Sequence, residues 1–84
     1  MNSRNELAVV VGATGAFGKQ IVARLCANGL DVVAVARSSA AIDELSRIHP
    51  GVIPCVADIS ADESIAHIRN VLDRPVRMIV HGPG

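Results

Sequence analysis

Residues 7–38 read LAVVVGATGAFGKQIVARLCANGLDVVAVARS, and the fold is decided in this stretch. Leu7 to Val11 is a short, β-branched apolar run and reads as a buried strand. It ends at Gly12, and Gly12, Gly15 and Gly18 follow at a spacing of three. From Phe17 onward the apolar positions Phe17, Ile21, Val22, Leu25 and Cys26 fall on one helical stripe, and Asn28-Gly29 supplies the stop. Asp31 to Ala36 then repeats the strand pattern. A strand, a glycine turn, a helix and a second strand within about thirty residues make one βαβ unit.

Working outward, Arg37-Ser38-Ser39 is a polar turn whose serines can cap a second helix running through Ile42, Leu45 and Ile48. His49-Pro50-Gly51 ends it. Val52 to Val56 is a third apolar run, and Pro54, with no N–H to donate to a ladder, predicts a sheet edge there. Ser60 with Glu63 three residues later is a capping box before a third amphipathic stretch carrying Ile65, Ile68, Val71 and Leu72. Arg74-Pro75 closes that helix, and Val76 to Val80 is a fourth strand. The alternation β-α-β-α-β-α-β with near-continuous apolar strands predicts an α/β fold, a Rossmann-type parallel sheet covered on both faces. Right-handed crossovers favour the strand order 3-2-1-4, with the switch point between strands one and four. A fourth strand left as an edge would expose apolar surface, so residues 1–84 are expected to be a single dinucleotide-binding unit that forms the N-terminal part of a longer domain.

Composition narrows the function. Half of the 84 residues are apolar, enough for one small α/β unit and too few for a binding domain plus a separate catalytic one. Eight basic and eight acidic side chains leave a formal net charge of zero, so no basic field exists to attract nucleic acid or anionic lipid. One Phe with no Tyr or Trp leaves no stacking platform for single-stranded nucleic acid. The mean hydropathy of +0.40 is high, yet every apolar run breaks well before the ~18 to 20 residues of a membrane span. Cys26 and Cys55 form no CxxC pair, and the polar stretch Met1 to Glu6 is no signal peptide, so both read as reduced core residues of a cytoplasmic protein. His49, His67 and His81 are scattered without metal-ligand spacing, and no metal is expected.

The chemistry sits in three short segments. Gly12 permits the tight turn, Gly15 lets the backbone approach a pyrophosphate, and Gly18 lets the helix pack closely on the strand. The helix N-terminus adds free N–H groups and a positive dipole. At the end of the second strand, where an acid would bond the ribose 2′-hydroxyl of NAD, stands Ala36-Arg37-Ser38. A guanidinium pairs with a 2′-phosphate by charge-assisted hydrogen bonds, which favours NADP over NAD. Asp58 ends the third strand and can accept from the adenine amino group, or else cap a turn. His81, ending the fourth strand, points to the same crevice by position, although a lone His is more often structural than an acid-base group. A nucleotide hydrolase is disfavoured because Gly18-Lys19 is followed by Gln20, leaving no hydroxyl for Mg²⁺.

With these residues in place the sequence resembles the short-chain dehydrogenase/reductase family over nearly its whole length. VVVGATGAFGKQIV is similar to that family's cofactor turn, VVAVARS to its NADP-type second strand, VADIS to its adenine-contacting segment, and VRMIVHGPG to its fourth strand. The resemblance implies a candidate cofactor set of Gly12, Thr14, Gly15, Ala16, Phe17, Gly18, Arg37, Ser38, Asp58, Ile59, His81 and Gly82. It further implies hydride transfer between NADP and a small carbonyl or alcohol substrate, with a homo-oligomeric complete protein. Two departures stand out. The middle glycine is at position 15, where the commonest branch would have it at 16, and His-Gly-Pro-Gly replaces Asn-Asn-Ala-Gly after the fourth strand. The Ser, Tyr and Lys that catalyse in the family lie beyond its fourth strand, and this chain has no Tyr, so no residue here is assigned to catalysis. The alternative is a non-catalytic NADP-binding sensor or interaction module.

Overall fold

A computed structural model describes residues 5–58 and 64–81. Four strands, β1 (Leu7–Val11), β2 (Asp31–Ala36), β3 (Val52–Val56) and β4 (Val76–His81), alternate with α1 (Ala16–Ala27), α2 (Ser39–Ile48) and α3 (Ser64–Val71). All pairings are parallel and the order is β3-β2-β1-β4, as the alternation predicts. Residues of β1 and β2 point alternately to two cores. Val10, Val32 and Ala34 pack with Val22 of α1 and Leu45 of α2, whereas Leu7, Val9, Val33 and Val35 pack with Ile68 and Val71 of α3. Helices α1 and α2 therefore cover one face and α3 the other, which is why β1 is apolar at every position and β2 at every position after Asp31.

Local chemistry sets the boundaries. Helix α1 stops in a Schellman arrangement. Gly29, at φ +85°, donates to the Cys26 carbonyl at 3.0 Å and Leu30 donates to Leu25 at 3.1 Å. Helix α2 is capped by Ser38, whose Oγ accepts from the Ala41 N–H at 3.3 Å. Pro54 does sit on an edge strand, exposed, opposite Ala34. The predicted capping box of Ser60 and Glu63 lies outside the described residues.

Several expectations need correction. Phe17 is 55% exposed and does not join the buried stripe of α1, because it lies in the first turn, past the end of the strands that the rest of the helix covers. Ile48, the last residue of α2, is 58% exposed for the corresponding reason at the other end. Helix α3 ends at Val71, and Leu72 closes it with a tighter bond to the Arg69 carbonyl at 3.2 Å. Cys55 is buried but Cys26 only half-buried, and both are free. Strand β4 runs one residue further, to His81, with Arg77 inserted as a bulge between the Leu7–Val76 and Ala8–Met78 pairs. Its outer side is open, with Ile79 69% and Met78 36% exposed.

One polar cluster ties the amino ends of the strands together. Arg74 donates from Nη1 to Asp31 Oδ2 at 2.7 Å and to the Asn5 carbonyl at 2.8 Å, and from Nε to Asp73 at 2.7 Å. Asn5 Nδ2 reaches the other Asp31 oxygen at 3.2 Å, and Glu6 pairs with Arg77. The Arg74 guanidinium beside it holds the Asp31 carboxyl below the usual carboxylate range. A depressed pKa means that the folded state prefers the ionised form. The resulting stability is present above the unfolded carboxylate value of ~3.9 and is lost as pH falls through the lower folded value. Asp31→Asn should accordingly melt below wild type at pH 7, and the gap should narrow progressively in melts taken below the unfolded carboxylate value of ~3.9.

Candidate functional site

Register brings the sequence motifs to one edge of the sheet. Val11 pairs with Val35 on one side and His81 on the other, and Ala36 pairs with Val56. The carboxyl ends of all four strands are therefore level, and Gly12, Arg37 and Ala57 leave the sheet side by side. The strands on either side of β1 are reached by crossovers running in opposite directions, which makes this end of β1 the topological switch point where open α/β sheets bind ligands.

The glycine turn is built from three different requirements. Gly12 has φ +78°, the left-handed region that a side chain disfavours, and its N–H donates to the Val35 carbonyl at 2.9 Å. The Ala13 N–H joins the same oxygen at 3.2 Å, so the turn is anchored to the end of β2. A Cβ on Gly18 would stand 2.1 Å from the Gly12 carbonyl oxygen and 2.9 Å from the Ala13 Cα. Only glycine lets α1 approach β1 this closely. Gly15 differs: its φ is −71°, and a Cβ there would meet only the Gly12 oxygen, at 3.6 Å. The fold leaves room for a side chain at position 15, and none is present.

Gly15 is also the N-cap of α1, and no side chain caps that helix. The N–H groups of Ala16, Phe17 and Gly18 precede the first intrahelical bond, which Lys19 makes to the Gly15 carbonyl at 2.9 Å. Neither α1 nor α2 carries an acid in its first turn, so both helices keep a positive amino end at this edge. Arg37 is exposed directly after β2, and among the described residues no carboxylate pairs with it. Ser38 Oγ accepts one bond, the α2 cap, and its hydroxyl proton stays free to be donated. Thr14 is half-buried in the turn, and Ala16 and Phe17 are exposed on the first turn of α1. Asp58 is exposed one residue past Ala57, whose N–H donates to the Ala36 carbonyl at 2.9 Å. Ile59 and Gly82 lie outside the described residues. The Val35 carbonyl is the contributor that sequence reading missed, since a backbone acceptor carries no residue-type signal.

The rest of the molecule offers less chemistry. A cleft of about 510 Å³ opens at the opposite edge, but its guanidiniums, Arg74 and Arg77, are already paired with acids. Burial raises both thiol pKa values, with Asp31 adding to the effect at Cys26, so neither is a ready nucleophile. Among the described residues no three His, Cys, Asp or Glu side chains stand together as a metal would require, and no helix is long and apolar enough to cross a membrane.

Comparison with known proteins gives a consistent picture. The short chain dehydrogenase family model matches residues 6–81. An uncharacterized short-chain type dehydrogenase/reductase of Sinorhizobium fredii is 43% identical over 58 residues, 69% of this chain and 23% of that protein. Actinorhodin polyketide ketoreductase, solved with NADPH, superposes with a TM-score of 0.88 at 27% identity, over 100% of this chain and 35% of that one. The 3-ketoacyl-(acyl-carrier-protein) reductase of Brucella melitensis, solved with NADH, gives 0.80 at 25% identity, over 90% of this chain and 33% of that one. The chain thus spans between about a quarter and a third of the length of these relatives.

The two inner glycines should separate in thermal melts. Gly18→Ala forces backbone apart and should cost at least about 1–3 kcal/mol, on the order of 10 °C in Tm for a domain of this size. Gly15→Ala should stay within about 1 kcal/mol of wild type, because the weaker N-cap and the stiffer unfolded chain act in opposite directions.

Proposed function

The chain belongs to the short-chain dehydrogenase family, and from that membership we propose that it supplies the NADP-binding portion of an oxidoreductase. The substrate class is a small carbonyl or alcohol, and the protein works in the cytoplasm as a homo-oligomer with no nucleic-acid or membrane partner. One observation carries the cofactor reading. At position 15 the fold has room for a side chain and the sequence leaves it empty, directly in front of the uncapped, acid-free amino end of α1. A phosphate needs that vacant cradle and those N–H groups.

In this reading the turn from Gly12 to Gly18 holds the pyrophosphate, with Thr14, Ala16 and Phe17 around it. Arg37 and the Ser38 hydroxyl take the 2′-phosphate, Asp58 and Ile59 meet the adenine, and His81 and Gly82 flank the crevice from β4. Bound there, the nicotinamide would supply the hydride-carrying ring. The chain's own residues bind and orient it. Oxidation of NADPH in the presence of a panel of small ketones and aldehydes, by the oxidoreductase of which this chain would form the cofactor-binding portion, tests the reading.

Two substitutions test the cofactor reading by titration calorimetry. Gly15→Val should abolish binding of both dinucleotides while the protein stays folded, since its side chain would fill the cradle. Arg37→Ala should weaken NADP about tenfold and leave NAD nearly unchanged. Tenfold is the lower part of the ~1.5–3 kcal/mol range for hydrogen bonds to charged groups, as an exposed guanidinium warrants. Equal weakening of both cofactors would mean that Arg37 holds its loop and reads no phosphate.

A further inference from the structure

Strand β4 enters the sheet in one register and leaves it in another. Val76 pairs with Leu7, but from Ala8 to Val11 every partner lies one residue further along β4, ending with His81 opposite Val11. The first register is held by Arg74, whose guanidinium donates to the Asn5 carbonyl at 2.8 Å and to Asp31 Oδ2 at 2.7 Å. Asn5 and Arg74 stand the same distance along the chain before Leu7 and Val76, so this clamp and that pair belong to one register. Continued straight from there, the ladder would set Arg77 opposite Ala8 and would bring Val80, not His81, level with Val11. The other straight register would set Arg77 opposite Leu7. Ala8 and Leu7 are both fully buried, and the places opposite them, where Met78 and Val76 now sit, are partly covered by apolar side chains. A guanidinium is disfavoured in either. Arg77 is instead left out of the ladder, exposed and paired with Glu6.

The rest of the strand cannot decide its register by alternation, because Met78, Ile79 and Val80 are all apolar and both faces of the sheet would accept them. The consequence of the bulge is visible in the packing. Val76 and Val80 would share a face in an unbroken strand, yet Val76 packs on the α3-side core and Val80 on the core beneath α1 and α2. We infer that Arg77 is the residue that sets the register of β4. Its charge expels it from the ladder while the Arg74 clamp keeps the amino end in place. The strand beyond is therefore advanced by one residue, which brings His81 level with Val11, beside the glycine turn. This is a positioning role and not one of stability, since an ion pair as exposed as Arg77 with Glu6 contributes little. Fixing the register of an otherwise apolar element is a use to which single polar or charged residues are suited. It requires no bound ligand and stands apart from the cofactor reading.

Register is read directly from NOEs between β1 and β4 in NMR spectra of the full chain. Wild type should show Val11 opposite His81. Arg77→Val should shift the pattern by one residue, passing the Val11 contacts to Val80 while Leu7 stays opposite Val76. Arg77→Lys, which keeps the charge, should keep the wild-type pattern. Val11 still opposite His81 in Arg77→Val overturns the proposal, because a residue that only stabilises would lower Tm and leave the pattern unchanged; a shifted pattern in Arg77→Lys overturns it as well. Should Arg77→Val fail to fold, deletion of Arg77 decides. Without the bulged residue one straight ladder satisfies both the Arg74 clamp and the Ala8–Met78 pair, so the deletion variant should fold with Val11 opposite His81. A deletion variant that does not fold, or in which another residue bulges, overturns the proposal.

Discussion

The contact on which the rest of the structure depends is the approach of Gly18 to the Gly12 carbonyl. With a Cβ at position 18 only 2.1 Å from that oxygen, helix α1 can start where it does solely because the side chain is a hydrogen atom. That closeness seats Val22 in the core beside Val10, Val32 and Ala34. It also aims the amino end of α1 across the carboxyl edge of the sheet. Packing and the placement of that helix end thus follow from one steric requirement, and the Val35 carbonyl, taking both the Gly12 and Ala13 N–H groups, joins the turn to the strand that leads into Arg37.

The two ends of the sheet divide the work. At the amino end, Asn5, Asp31, Asp73 and Arg74 satisfy one another, so that charge is spent on holding β1, β2 and the approach to β4 together. At the carboxyl end the helix α1 has no side-chain cap, and neither α1 nor α2 has an acid in its first turn. The amino edge neutralises its charges, whereas the carboxyl edge keeps its helix donors available. The sheet's sides differ as well. The β3 side carries an exposed proline that discourages further pairing, while β4 presents Ile79 and Met78 to the outside.

Much of this was legible in the linear sequence because it depends on period and on turn chemistry, which are local. The β-branched runs named the strands, the stripe through Val22 and Leu25 named α1, Asn28-Gly29 named its end, and Pro54 placed β3 at an edge. What the sequence by itself determined was the order of elements, the parallel sheet and the residue types that can meet a phosphate. Order within the turn already separated Gly18, for packing, from Gly15, for a phosphate; only the tertiary structure decided how far apart the two requirements lie, with a Cβ 2.1 Å from the Gly12 oxygen at position 18 and 3.6 Å from it at position 15. It also decided that Phe17 and Ile48 would be exposed, since burial depends on whether a strand lies beneath that particular turn. The pairing of Arg74 with Asp31 joins residues far apart in the chain, and the level alignment of Val11, Val35 and His81 is a property of register. Contacts of that kind form only when the chain folds back on itself, and no local pattern encodes them.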